Sequence, residues 1–429
     1  MYILFRNENL RNLIIHNTLQ QLLYQKLIMK FAVLKERKNP PDRRVLFSPQ
    51  TCKNLMSTFS DIEIVVESSE HRTFTDEEYK NEGIEVLKDV SNFDVMLGVK
   101  EVPIEALIPN KKYFFFSHTI KKQPYNRKLL QAILQRNIEL YDHETIVDQR
   151  GFRLIGFGYY AGIVGAYNGF RTYGLKYDLF QLPKAQELSD KKSLIERLKN
   201  IELPSIKIVL TGTGRVGMGS KEMLDSMGVK QVKVDEFLHQ RFDEPVYVQV
   251  DVLDYNERKD GKLLGVNDFF KNASEYKSNF MRFAEVADFY IAAHFWDEEA
   301  PVLFSREEAC TDDFNIKVVA DISCDIDGPI ASTIKASTIA DPIFGYDPKT
   351  GKEANFKDKD VIAVMSVDNL PSELPKDASV GFGEMFSKNV IPAFFTGEQD
   401  RVLERALITK NGKLTDRFSY LQDYVDGAE

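Results

Sequence analysis

The sequence predicts an α/β protein of two domains, each built on a parallel sheet, with a cleft between the sheets. Short apolar runs alternate with helical patterns along the chain, and one run leads into a glycine-rich turn. The 429 residues also exceed what one ordinary domain holds.

Residues 1–29 are read as an extension or a mis-assigned start. They hold Glu8 as the single acid, with no long apolar core and no small-residue cleavage site, whereas Met29–Leu34 runs straight into a strand. Lys30–Leu34, Ile62–Val66, Val95–Val99 and Tyr113–Phe116 are short apolar runs between polar residues, suited to buried parallel strands. Asn126–Gln135 is expected to be helical, because Leu129, Leu130 and Ile133 recur at helical spacing. Gly156–Tyr173, rich in Gly, Ala and aromatics, predicts a closely packed helix that crosses between the domains. Asp190–Glu202 reads as a charged helix, Pro204 precedes a new strand, and Pro371 and Pro375 mark the return to the first domain. The expected domains are therefore 30–157 with 371–429, and 158–370.

Composition narrows the function classes. A net charge of −9 argues against nucleic acid, which requires clustered Lys and Arg. No apolar segment reaches the length of a membrane span. Cys52, Cys310 and Cys324 lack the spacing of a zinc site or a disulfide framework, so free thiols in the cytoplasm and no metal are expected. Oligomeric state is not legible in the sequence.

The clearest motif is Ile206–Thr211 followed by Gly212-Thr213-Gly214-Arg215-Val216-Gly217, then a helix over Met218–Met227 and a strand over Gln231–Val234 ending at Asp235. Strand, GxGxxG, helix, strand and acid in that order form a dinucleotide-binding fingerprint, which makes the predicted domains Rossmann-like. Gly212 permits the tight turn, Gly214 lets backbone approach a pyrophosphate, and Gly217 allows close helix–strand packing. The helix N-terminus, with Arg215 and Val216, offers N–H groups to phosphate. Asp235, or Glu236 beside it, is the candidate for the ribose hydroxyls, and an acid there favours NAD because a 2′-phosphate would meet like charge.

In open parallel sheets ligands sit beyond the carboxyl ends of the strands. Val95–Val99 runs into Lys100-Glu101, and Tyr113–Phe116 into Ser117-His118. A desolvated Lys near other cations acts as a base, and His titrates near neutrality. Arg43, Arg44 and Arg153 are candidates to hold carboxylates through paired hydrogen bonds.

At these residues the sequence resembles the alanine dehydrogenase/saccharopine dehydrogenase superfamily. The motifs are Leu97–Glu101, Phe115–Lys121, Gly156–Gly162, Asp321–Asp325, Thr338–Pro342 and Ser366–Pro375. They are most similar to the lysine-forming saccharopine dehydrogenases and to the lysine–ketoglutarate reductase half of the bifunctional aminoadipic semialdehyde synthases. The resemblance implies that Lys100 takes the proton of a secondary amine and that His118 moves protons as water adds to an imine. It further implies that Arg44 and Arg153 hold substrate carboxylates, that Lys38 and Lys121 line the site, and that Glu101 and Glu144 moderate its charge. Asp368 would fall in the loop nearing the nicotinamide. The implied reaction converts saccharopine, NAD and water to L-lysine, 2-oxoglutarate and NADH, reversibly. Glu244–Glu299 is more similar to the NADPH-linked reductase half, so NADP and the saccharopine-forming direction are the first alternative. Alanine dehydrogenase chemistry and a non-catalytic dinucleotide-binding regulator are the others.

Overall fold

The computed structural model describes residues 28–38, 42–395 and 401–428. The expected extension at 1–29 lies almost wholly outside the described residues, although Met29 opens the first strand. The chain forms two compact units. One holds residues up to Ile155 together with Ser379 onward, and the other is Gly156–Ala378.

The first unit is built on an eight-stranded sheet. Its order is Lys413–Leu414, Leu407–Lys410, Glu139–Asp142, Lys112–Phe115, Val95–Leu97, Met29–Val33, Ile62–Glu67 and Glu85–Leu87. All pairings from Glu139–Asp142 to Glu85–Leu87 are parallel, and the C-terminal hairpin adds on antiparallel. Parallel strands covered on both faces need apolar side chains on both faces. Val95, Met96 and Leu97 accordingly show no exposure at all. Burying each such side chain contributes roughly 1.5–3 kcal/mol, and this fixes the register. Val95 lies opposite Lys112 and Leu97 opposite Phe114, so the two segments that leave these strands emerge side by side. Gly98 N–H donates to Phe114 O at 2.9 Å, and Phe116 N–H donates to Val99 O at 2.9 Å, which extends the pairing.

The second unit carries its own eight-stranded sheet. Its order is Lys352–Ala354, Ile343–Asp347, Ile362–Met365, Val318–Asp321, Phe289–Ala292, Lys207–Thr211, Val246–Val250 and Lys230–Gln231. Only Ile343–Asp347 and Lys352–Ala354 run antiparallel to their neighbours. The expected α/β architecture with two mainly parallel sheets is thus the one observed.

The Gly- and aromatic-rich segment is a helix over Gly158–Tyr177, packed against the helix Arg215–Ser226. The contact leaves no room for side chains at its centre. A Cβ on Gly162 would lie 1.9 Å from Val216 O, and one on Gly219 would lie 2.0 Å from Tyr159 O. The helix after the glycine turn begins at Arg215, earlier than the Met218 start expected from the sequence, so its free N–H groups follow Gly214 directly. The expected strand Gln231–Val234 is only Lys230–Gln231, at the sheet edge, and Val234 already begins a helix. Among the described residues no helix is long and apolar enough to cross a membrane.

Candidate active site

The first unit assembles its polar groups where Val95–Leu97 and Lys112–Phe115 end. The loop after Val95–Leu97 is held from below by Glu36. One carboxylate oxygen accepts from Val99 N–H at 2.7 Å and the other from Lys100 N–H at 2.8 Å. Burial pushes Glu36 up to about 7 against the pull of those two N–H groups. Lys100 itself is displaced downward. Burial is the main cause, followed by the Arg44 charge and, more weakly, that of Lys38. A lysine whose proton is loosened in this way is a better base than an exposed one.

His118 stands at the end of the neighbouring strand in the left-handed region, with φ of 54°. That conformation costs a non-glycine residue on the order of 1–3 kcal/mol, so something must hold it. Asp142, at the end of Glu139–Asp142 and without exposure, does so. Its Oδ2 accepts from Ser117 N–H at 2.8 Å, Ser117 Oγ at 2.5 Å and His118 N–H at 3.1 Å. Its Oδ1 accepts from Glu144 N–H at 2.7 Å. The His118 ring donates from Nδ1 to Glu101 Oε1 at 2.5 Å, which leaves Nε2 as the atom able to exchange a proton with a ligand. Burial works against the charge on Glu101, yet the hydrogen bond from His118 holds its carboxyl below the usual range.

Around this pair the other expected residues take distinct places. Glu144, nearly buried, receives Arg153 Nη2 at 2.9 Å and Lys121 Nζ at 3.4 Å, so one carboxylate anchors two half-exposed cations. Lys38 is exposed and acts on Lys100 and Glu101 through its charge. Arg44 departs from the expectation of a carboxylate-holding arginine facing substrate. It is 2% exposed, and Asp42 takes up its fork through Nε at 3.0 Å and Nη2 at 2.6 Å. A substrate carboxylate would have to share that guanidinium with Asp42.

The second unit holds the glycine turn. Gly212 has φ of 96°, and its N–H donates to Val250 O at 2.9 Å. A Cβ on Gly217 would lie 2.1 Å from Gly212 O, which shows how tightly the helix start folds against the turn. At Gly214 a Cβ would meet nothing within 4 Å, so the open side of the turn is where a ligand can approach backbone. Val216 turns its side chain toward the preceding helix, where a Cβ on Gly158 would lie 3.3 Å from Val216 Cγ2. A Cβ on Gly156 would similarly lie 3.3 Å from Arg215 Nη1. What these two residues offer a phosphate is backbone N–H at a helix N-terminus.

Asp235 does not end the strand that the sequence led us to expect. Asp235 lies in the first turn of the helix Val234–His239, its side chain 90% exposed and 3.6 Å from His239 Nε2. The strand beside Lys207–Thr211 is Val246–Val250, and the residue that follows it is Asp251. Asp251 Oδ2 accepts from Thr213 Oγ1 of the glycine turn at 3.2 Å, while its Oδ1 is buried and unpartnered. The usual spacing of about 20 residues between glycines and acid pointed to Asp235. The apolar run Val246–Val250 ending in an acid was the signal that would have found Asp251. Asp368 is exposed in the loop after Ile362–Met365. Beside it the loop after Val318–Asp321 is tied in, with Cys324 Sγ donating to Ser366 O at 3.0 Å.

Comparison with known proteins bears out the resemblance. Residues 32–164 match the alanine dehydrogenase/PNT N-terminal domain. The chain is 27% identical over 457 residues to the mitochondrial alpha-aminoadipic semialdehyde synthase of Rattus norvegicus, across 95% of this chain and 49% of that protein. It is 28% identical to alpha-aminoadipic semialdehyde synthase of Arabidopsis thaliana, across 91% and 41% respectively. It thus spans half or less of these curated relatives. The NAD(+), L-lysine-forming saccharopine dehydrogenase of Yarrowia lipolytica is 24% identical, with 82% of this chain and 89% of that protein covered. Among solved structures, an L-alanine dehydrogenase superposes with a TM-score of 0.60 at 16% identity, over 94% of this chain and all of that one. That likeness establishes the fold.

The turn geometry yields a clean test. Gly214→Ala meets no atoms and needs no unusual φ, so thermal stability should be unchanged. Binding of reduced nicotinamide dinucleotide, followed by fluorescence, should nevertheless weaken roughly tenfold or more as the methyl holds the pyrophosphate off the backbone. Unchanged affinity would place the nucleotide elsewhere.

Proposed function

We propose that this chain is an NAD-dependent oxidoreductase that interconverts saccharopine and water with L-lysine and 2-oxoglutarate. The observation that carries the proposal is the placement of Lys100 and His118 on neighbouring loops. They stand at the ends of two adjacent parallel strands, one with its proton loosened by burial and neighbouring cations, the other oriented by Glu101. The similarity to semialdehyde synthases and saccharopine dehydrogenases names the substrate to try.

The residues divide the work as follows. Lys100 accepts the proton of the substrate's secondary amine, freeing its lone pair. A nicotinamide held at the glycine turn would supply the hydride acceptor for the carbon beside that nitrogen, and loss of that hydride turns the substrate's C–N bond into an imine. His118 Nε2 takes a proton from the water that adds to the imine carbon. It then gives that proton to the nitrogen and takes up the hydroxyl proton as the carbinolamine breaks, releasing lysine as the leaving amine and 2-oxoglutarate as the carbonyl product. Arg153 and Lys121, both held by Glu144, bind substrate carboxylate in this reading, since charged donors make the stronger hydrogen bonds. Gly212, Gly214 and Gly217, with the N–H groups of Arg215 and Val216, hold the pyrophosphate, and Asp251 accepts from the ribose. A 2′-phosphate would meet the Asp251 carboxylate, which favours NAD over NADP. Asp368 lies in a loop suited to the nicotinamide end.

The deciding assay follows absorbance of NADH or NADPH with lysine and 2-oxoglutarate. Oxidation is expected only when both are present, and faster with NADH. Turnover with pyruvate and ammonia instead would turn the assignment to alanine dehydrogenase chemistry, and silence throughout would leave a dinucleotide binder. Lys100→Met and His118→Gln should each lower kcat on the order of 10²–10⁴-fold while NADH still binds. Full activity in either variant removes that residue from the mechanism. Asp251→Ser should lower the NADH-to-NADPH ratio of kcat/KM roughly tenfold or more, whereas Asp235→Ser should leave it alone. The reverse pattern would restore Asp235.

A further inference from the structure

Asp142 is a buried acid that the mechanism above does not use, yet both of its oxygens are committed to the site. Its Oδ2 collects three donors from Ser117 and His118, and its Oδ1 collects the Glu144 N–H. One side of the carboxylate therefore fixes the left-handed turn that presents the His118 ring. The other side fixes the residue on which Arg153 and Lys121 are anchored. A neutral, smaller or shorter group cannot serve both sides, because each oxygen faces only N–H or O–H donors.

We infer that Asp142 is the positioning residue that sets the proton-transfer histidine and the carboxylate-binding cations in one frame. The inference rests on the proposed reaction for its kinetic consequences, though not for its structural one. Asn at this position can offer one acceptor oxygen. It keeps more bonds by turning that oxygen to Ser117 and His118, which sets its amide N–H₂ against the Glu144 N–H. Glu144 and its two cations then shift, and the His118 turn persists. Removing the Ser117 hydroxyl does the converse, weakening the His118 side and sparing Glu144.

The test uses the full chain. Asp142→Asn should raise KM for 2-oxoglutarate roughly tenfold or more with a smaller change in kcat. Ser117→Ala should lower kcat with KM nearly unchanged, since a small misplacement of a catalytic group costs up to about 10²-fold in rate. An independent readout is the downfield imidazole N–H resonance of the His118–Glu101 hydrogen bond, identified by its absence in His118→Gln. It should persist in Asp142→Asn and vanish in Asp142→Ala. If the two variants change kcat and KM in equal proportion, or the resonance is intact in Asp142→Ala, Asp142 is not a positioning residue. Should Asp142→Ala fail to fold, Ser117→Ala carries the spectroscopic test, and a resonance unmoved there overturns the inference. Absence of turnover in the wild type would overturn the proposed reaction alone, because the resonance still reports on the frame.

Discussion

The structure depends on how backbone N–H groups are satisfied where parallel strands end. A loop leaving such a strand loses its ladder partners while still buried, and an unpaired buried N–H costs about 1–3 kcal/mol. Here the same solution recurs in both units, a buried or half-buried carboxylate that accepts from two successive residues of the departing loop. Glu36 holds Val99 and Lys100, and Asp142 holds Ser117 and His118. In the second unit Asp321 Oδ1 holds Ser323 N–H at 3.1 Å and Cys324 N–H at 3.0 Å. Cys324, like His118, has a left-handed φ. These acids fix the loops at the carboxyl ends of the sheets, which is where the chemistry-bearing side chains stand.

That arrangement separates what the sequence discloses from what it conceals. Lys100, His118 and the glycine turn were legible because each follows an apolar run directly, so local pattern alone places it at a strand end. Glu36 and Asp142 were not, since an acid beside a strand reads as solvated until another strand's loop is known to cover it. The position of Asp251 was not legible for a related reason. It follows from Val246–Val250 lying beside Lys207–Thr211, with Lys230–Gln231 displaced to the edge, and strand order is set by tertiary packing. Arg44 is the converse case: the resemblance implies a carboxylate-holding role, and the ion pair with Asp42, only two positions earlier, becomes visible only once the chain is folded.

The helix contact in the second unit was legible in kind though not in detail. Composition announced close packing over Gly156–Tyr173, and the observed approach at Gly162 and Gly219 explains it. With backbone against backbone, the helix that opens at Arg215 is pinned behind the glycine turn. The turn can then be open at Gly214 and still rigid, the combination a pyrophosphate site needs. The first unit uses carboxylates to hold the loops that carry Lys100 and His118, and the second uses glycine to bring backbone against backbone.

The proposed function assigns both devices to one reaction at a carbon–nitrogen bond. It is tested most directly by incubating the chain with lysine, 2-oxoglutarate and NADH deuterated at the transferred position, on each face in turn, and weighing the product. Saccharopine about one mass unit heavier is expected from one face only, with the deuterium on the carbon beside the secondary amine. Unlabelled product from both faces, or label in any other compound, would contradict it.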